Sequence, residues 1–587
     1  MFSQMGAPRF ALSLLACLTA AAQQVVVTGQ YEPVPLGESD RSIRSLPVAG
    51  RTLLASSWLD FLALDPSLDL LQRAPGGAQS DLSIRGAAFG QTLVLLNGMR
   101  LNDAQSGHHN LDVPIPLEAL SGIEVLHGAG STLYGSDATG GVVNLITAPP
   151  ESSEIRLRAA AGNDGVNQQH ITWSEIAGGF DHELILSRDF SSGFLPDRDY
   201  RNLYAASISH WRSTDLVLGH ADRAFGADQF YGNFNSWERT RTWFASLAQR
   251  FGANTEASFA YRRHTDLFVL YRDRPELYTN RHADESFEAA LRRTEPLARN
   301  LRLHWGVEGI HESIASTNLG DHSRSRASGY AALDARALGR FSLSLGAREE
   351  AYSSGAPQFS PTASGGIWLS PHLKLRASAS RAFRLPSFTD LYYHDPATLG
   401  SPGLRPEQAW SYESGLDWNA GARLAGSVAV FERRERDVID YIRNSPADIW
   451  RAANIQRLRM TGVEASARAT LRRGQIVEAS YTALAGAQAA LGGLQSRYVF
   501  NYPSQAASVS WQGTLPGGFV ARTRTGVTRR YARDPYALWD AAVAFMRWKL
   551  HPFLQLGNIT GTRYEEIAGI PMPGRTAVLG LEYATHR

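Results

Sequence analysis

The residues best suited to binding chemistry here are histidines and glycines in loops. His108-His109-Asn110 sets two imidazoles side by side. Neighbours in an extended segment point to opposite sides, so the pair is not expected to share one metal ion. One of them is free to face a ligand; the plain alternative is a solvated loop pair. Gly128, Gly130, Gly135, Gly140 and Gly141, closed by Val142, Val143 and Ile146, read as turn, short helix, turn, strand. A glycine loop before an apolar run can cradle phosphate, but no Lys follows and no long helix opens there. Cys17 is the only thiol, and it lies in a segment expected to be removed, which leaves a mature chain without disulfides.

The elements that must hold these residues fall into two halves. From Pro47 to Thr147 the segments are short and mixed. Pro66, Leu68, Leu70 and Leu71 suggest a helix of about two turns ending before Pro75-Gly76-Gly77, and strands follow near Asp81–Arg85, Thr92–Asn97 and Ile123–His127. From about Ser153 onward, alternation with a period of two takes over. In Leu301-Arg-Leu-His-Trp-Gly-Val-Glu the apolar side chains face one way while Arg302, His304 and Glu308 face the other, and Phe341-Ser-Leu-Ser-Leu, His372-Leu-Lys-Leu-Arg and Phe519-Val-Ala-Arg-Thr-Arg repeat the pattern. One face suits lipid and the other water, as a transmembrane barrel requires. Loops are expected near 189–202, 222–238, 271–286, 314–327, 385–408, 443–455 and 484–502.

Composition sets bounds. The 587 residues carry a net charge of +2, so no global field points to nucleic acid. No run of about 18 apolar residues follows the N-terminus, which excludes helical spans but not barrel strands. Residues 1–22 read as an export signal, with Arg9, an apolar stretch from Phe10 and small residues Ala20–Ala22. Leu14-Leu15-Ala16-Cys17 matches a lipidation box only imperfectly, and the simple signal is the better reading. Gln23-Gln24 then leads into Val25-Val26-Val27-Thr28-Gly29, a short β-branched run able to add as a strand to a partner's sheet edge. Its plain alternative is a first strand pairing within its own domain.

Tyr134 to Asn144, Tyr-Gly-Ser-Asp-Ala-Thr-Gly-Gly-Val-Val-Asn, resembles the end of the plug domain of TonB-dependent outer-membrane receptors. Leu82-Ser-Ile-Arg85-Gly86 with Thr92 to Gly98 resembles the same plug's centre. Trp410 to Leu416, Thr461 to Ala465, Arg381 to Pro386, Ser401 to Glu407 and the closing Ala577 to Tyr583 resemble barrel strands and signatures of that family. The chain ends on Ala584-Thr585-His586-Arg587 rather than on the family's usual aromatic. The resemblance implies an all-β membrane protein, a 22-stranded antiparallel transmembrane β-barrel with a small N-terminal α+β plug domain inside the lumen. The expected division is signal (1–22), TonB box and extension (23–46), plug (47–150) and barrel (151–587).

By the same resemblance Val25, Val26, Val27, Thr28 and Gly29 form the TonB box. Glu413 and Glu464 are lumen carboxylates that pair with plug Arg85. The family's second plug arginine is replaced by His127, which either carries charge between carboxylates or is a neutral strand-end residue hydrogen-bonded to backbone. His108, His109 and Asn110 occupy the ligand-facing part of the plug, and His394 stands between two barrel boxes, where haem importers carry a histidine. The implied function is active import of cobalamin or a ferric siderophore, with haem as the alternative. No resident cofactor is expected, the cargo being cobalt- or iron-containing. The implied partners are the TonB C-terminal domain, outer-membrane lipid and a periplasmic binding protein, and the location is the outer membrane. A barrel hydrolase would need a convergent Ser/His or Asp/His constellation on the rim, and a passive porin would need no plug; neither is favoured.

Overall fold

The computed structural model describes residues 26–27, 34–353, 355–421, 423–488, 493–498 and 501–585. The expected export signal and Val25, Thr28 and Gly29 lie outside the described residues. Alternating sequence becomes a closed antiparallel barrel of 22 spanning strands, from Glu154–Gly162 to Thr576–Ala584. Its first and last strands pair from Arg156 opposite Ala584 to Gly162 opposite Val578, so no spanning strand has a free edge. Two short pieces, Thr398–Leu399 and Gln495–Ser496, add pairings at one rim.

The outer surface is apolar where lipid would lie: Leu157, Leu186, Phe259, Leu343 and Leu579 are all exposed. Beside the short turns at one rim sit exposed Phe180, Trp211, Phe251, Phe341, Phe519 and Trp548, the aromatic girdle typical of a bilayer interface. Longer connections gather at the opposite rim. Several expected loops are shorter than the sequence suggests. Residues 222–228 and 235–238 continue the strands Thr214–Asp228 and Asn235–Phe251, and 279–286 continue Thr279–Ala298. These strand ends run on past the apolar band, where both faces carry polar groups, so the alternation that marks a strand fades.

Inside the barrel a five-stranded sheet runs in the order Ile43–Pro47, Gly122–His127, Gly141–Ile146, Thr92–Leu96, Met99–Arg100. Asn97 and Gly98, both at positive φ, form the two-residue turn between its last two strands. A separate hairpin pairs Leu68–Gln72 with Ser80–Ile84. The helix expected around Pro66 to Leu71 is therefore a strand. Leu68 to Gln72 find backbone partners across the Pro75-Gly76-Gly77 turn, and that pairing overrides the local helical spacing. A four-residue helix lies earlier, at Leu59–Leu62. Ser131–Tyr134 is the short helix expected in the glycine-rich stretch. At Gly140 a Cβ would lie 2.5 Å from the Ala87 Cβ, so the plug's two sheets close on each other only through glycine there.

Candidate functional site

The plug centre is locked to the wall through Arg85. This residue sits at φ 53°, just before Gly86, on the turn that ends the hairpin strand Ser80–Ile84. Its Nε and Nη2 donate to the Glu464 carboxylate at 2.8 and 2.6 Å, and Nη1 donates to Glu413 Oε2 at 2.6 Å. The guanidinium lies 4.1 Å from the centroid of Phe431. Arg85 therefore meets both carboxylates at once, in the bidentate geometry only arginine offers. Ser42 donates to Glu413 Oε1 at 2.8 Å, and Arg376 also pairs with that oxygen.

His127 sits at the end of Gly122–His127. Its Nε2 lies 3.1 Å from Asp65 Oδ2 and 3.0 Å from Ser67 Oγ, and its Nδ1 is 3.9 Å from Glu464 Oε2. The side chain is thus held by plug side chains rather than backbone, with Glu464 at the edge of ion-pair reach. Asp65 is buried, and burial alone would raise its pKa. His127 and Arg44 beside it outweigh that and hold the carboxyl well below the usual carboxylate range.

The segment Gly107–His109 is 3-10 helical and capped by Ser106, not extended as expected, yet the two imidazoles still part company. His108 stacks on Phe89 at 4.3 Å and places Nδ1 2.8 Å from Asp81 Oδ1. Burial pulls its pKa below the usual value in spite of Asp81. His109 turns into the wall: it is 5% exposed, with Nδ1 3.4 Å from Asp112 and Nε2 3.6 Å from Asp266. Neither histidine belongs to a solvated pair. Asn110 accepts from the Asp103 N–H at 3.0 Å and so shapes this loop. His394 is exposed, past the helix Phe388–Tyr392 and remote in sequence from the plug, with its carbonyl accepting from Asn318 at 2.7 Å.

Several ion pairs inside the barrel, two of them between plug side and wall, escaped the sequence reading. Arg348 pairs with Glu308 and Glu350 beneath Leu133, Arg384 with Glu407, Arg530 with Asp69, and Lys374 with Asp40. The signal was present for Lys374 and Arg376, because charged residues opposite apolar ones on a barrel strand must face the lumen. A cavity of about 400 Å³ runs between plug and wall, lined by Asp60, His170, Arg198, Arg223 and Arg522 among others.

A closed barrel with an apolar outside, corked by a small sheet domain that is held by buried ion pairs, defines a plugged outer-membrane receptor. The family described as TonB-dependent Receptor Plug Domain matches residues 50–142, and TonB dependent receptor-like, beta-barrel matches residues 133–561. The chain belongs to the TonB-dependent receptor family, whose members are outer-membrane receptors and transporters, not enzymes.

Among its relatives, the Vitamin B12 transporter BtuB of Photobacterium profundum is 23% identical over 72% of this chain and 73% of its own. The Iron-regulated outer membrane virulence protein of Vibrio cholerae is 24% identical over 86% of this chain and 85% of its own. In fold, the chain resembles the siderophore receptor PirA of Acinetobacter baumannii, with a TM-score of 0.74 at 13% identity over 92% of this chain and 98% of that one.

Proposed function

We propose that this receptor actively imports a large metal chelate, cobalamin or a ferric siderophore, and that force on residues 25–29 releases the plug. The observation that carries the reading is the path from tail to lock. Among the described residues, Val26–Val27 pairs with Val34–Pro35 alone, a two-residue ladder that is easily exchanged for a partner's strand. The chain then passes Lys374, whose Nζ binds Asp40 at 2.7 Å and the Glu38 and Ser39 carbonyls at 2.9 Å, close to the short-turn rim. Two residues on, Ser42 holds the same Glu413 that holds Arg85. Tension on the tail thus acts first on the Asp40 anchor and next on the lock. The energy source in this reading is the inner-membrane proton gradient, delivered by the TonB C-terminal domain, and a periplasmic binding protein receives the cargo.

The test has two arms. Cyanocobalamin, haem and a ferric siderophore are titrated into purified protein, and uptake is followed in cells. Deleting residues 25–29 leaves binding unchanged and abolishes uptake; continued uptake would overturn the energised mechanism. A Soret shift that disappears in His394→Ala would replace the cobalamin or siderophore reading with haem.

A further inference from the structure

Among the described residues a dense set of metal-ligating side chains lies away from the lock, where the plug loop 103–112 meets the barrel strands Asn235–Phe251, Thr255–Val269 and Thr279–Ala298. Asp103, Asp112, Glu238, Asp266 and Asp284 are buried together with His109 and His264. The two guanidiniums in contact are Arg262, on Asp103 at 2.8 Å and Asp284 at 3.1 Å, and Arg223, on Asp112. His264 also lies 3.0 Å from Asp103 and 3.1 Å from Asp112, so Glu238 and Asp266 are the two carboxylates of the set that neither arginine touches.

Within this set, one ligand atom each from His109, Glu238 and Asp266 lies within 4.8 Å of the others. His109 Nδ1 faces Asp112 at 3.4 Å, which turns Nε2 toward Asp266, 3.6 Å away. A carboxylate behind a histidine is the usual means of orienting a metal-ligating imidazole. Two neighbouring acceptors also lack any donor. Asp266 Oδ1 and Gln105 Oε1 are buried without a hydrogen-bond partner, on side chains each 5% exposed. The Gln105 carboxamide nitrogen donates to the other Asp266 oxygen at 3.1 Å, so the amide lies beside the same carboxylate. Buried oxygens are normally hydrogen-bonded, and a bound cation would satisfy these two.

We propose that His109, Glu238 and Asp266 bind a divalent first-row transition-metal ion, with Gln105 as the adjacent oxygen donor. One imidazole and two carboxylates suit zinc and its neighbours rather than copper(I), which prefers sulfur, or calcium, which takes six to eight oxygens. The ligands come from both bodies, His109 from the plug and Glu238 and Asp266 from the wall. Occupancy therefore ties the plug's loop to the barrel at a point separate from Arg85. Tyr231, which donates to Glu238 Oε2 at 2.8 Å, covers the site from the long-loop rim.

The test uses the full chain, purified in detergent, stripped with a chelator and titrated with Zn²⁺ by calorimetry, with retained metal counted after desalting. The expected result is one tightly held equivalent per chain and a melting temperature that rises with zinc concentration. Asp266→Asn and His109→Gln each weaken binding at least tenfold, while Glu276→Gln, an exposed loop carboxylate, leaves it unchanged. Heat-modifiable migration of each variant on gels reports that the barrel is intact, and Glu238→Gln replaces any variant that fails it. Failure of the stripped wild type to retain zinc would overturn the proposal and leave His109 as simply the cation of the cluster. Equal retention by wild type and the ligand variants would overturn it as well.

Discussion

Arg85 is a plug residue that pairs with two half-buried wall carboxylates at once, so seating of the plug is expected to depend on it. Among the described residues, Arg85→Ala leaves Glu413 with Arg376 and Ser42 alone, and Glu464 with a distant His127 alone. Removing one partner of a buried pair costs about 3–5 kcal/mol. Denaturant unfolding followed by protease cleavage within the plug is expected to show a loss of that size, with barrel mobility on gels unchanged; wild-type resistance would refute the assignment. Asp65 gives the seating an acid limit. Its folded-state pKa lies below the unfolded value, so its contribution is complete above about pH 4 and falls away as acid protonates it. Plug protection is expected to be level between pH 7 and 5 and to weaken below about 4. Asp65→Asn starts weaker and declines less steeply, and an undiminished acid slope in that variant would assign the effect to other carboxylates. The Arg85 pairing was legible in sequence, since both partners sit in recognisable stretches. The Asp65–His127 contact was not, because it depends on the turn after Leu59–Leu62 meeting the end of a strand some 60 residues on.

At the scale of elements, the plug's two sheets close on each other through Gly140. A side chain there meets Ala87, Ile84 and Gln91 at 2.5 to 3.3 Å, so Gly140→Val should destabilise the plug by about 1–3 kcal/mol through overpacking. Faster proteolysis of residues before 150 with an intact barrel would show it, and an unchanged cleavage rate would not fit. Barrel strands such as Leu301–Ser316 and Phe341–Tyr352 were readable because lipid enforces a period of two. Strand ends beyond the lipid were not. Phe225 falls in the expected loop 222–238, yet it is 2% exposed and points inward from Thr214–Asp228, packing with Phe230 against the plug's Ala74 and Ala78. The hairpin strand Leu68–Gln72 was missed for a related reason: its leucines fit a helix as well as a strand, and only the partner across the glycine turn decides.

At the scale of the whole molecule, the wall and its cork are separable by design of the chain, since the plug ends before the first spanning strand begins at Glu154. Removing residues 34–147 should leave a closed barrel with an aqueous lumen. Large, steady conductance in a planar bilayer is the expected outcome, against little for the full chain; equal conductance would mean that the plug does not block passage. The junction of the first and last strands bears on biogenesis. Ile155 and Thr585, 430 residues apart, are hydrogen-bonded neighbours at that junction. The cylinder cannot be sealed by a nascent or truncated chain, so closure waits on the whole polypeptide. Loss of only the final strand should yield a protein held by chaperones and cleared by proteases, rather than a leaky channel.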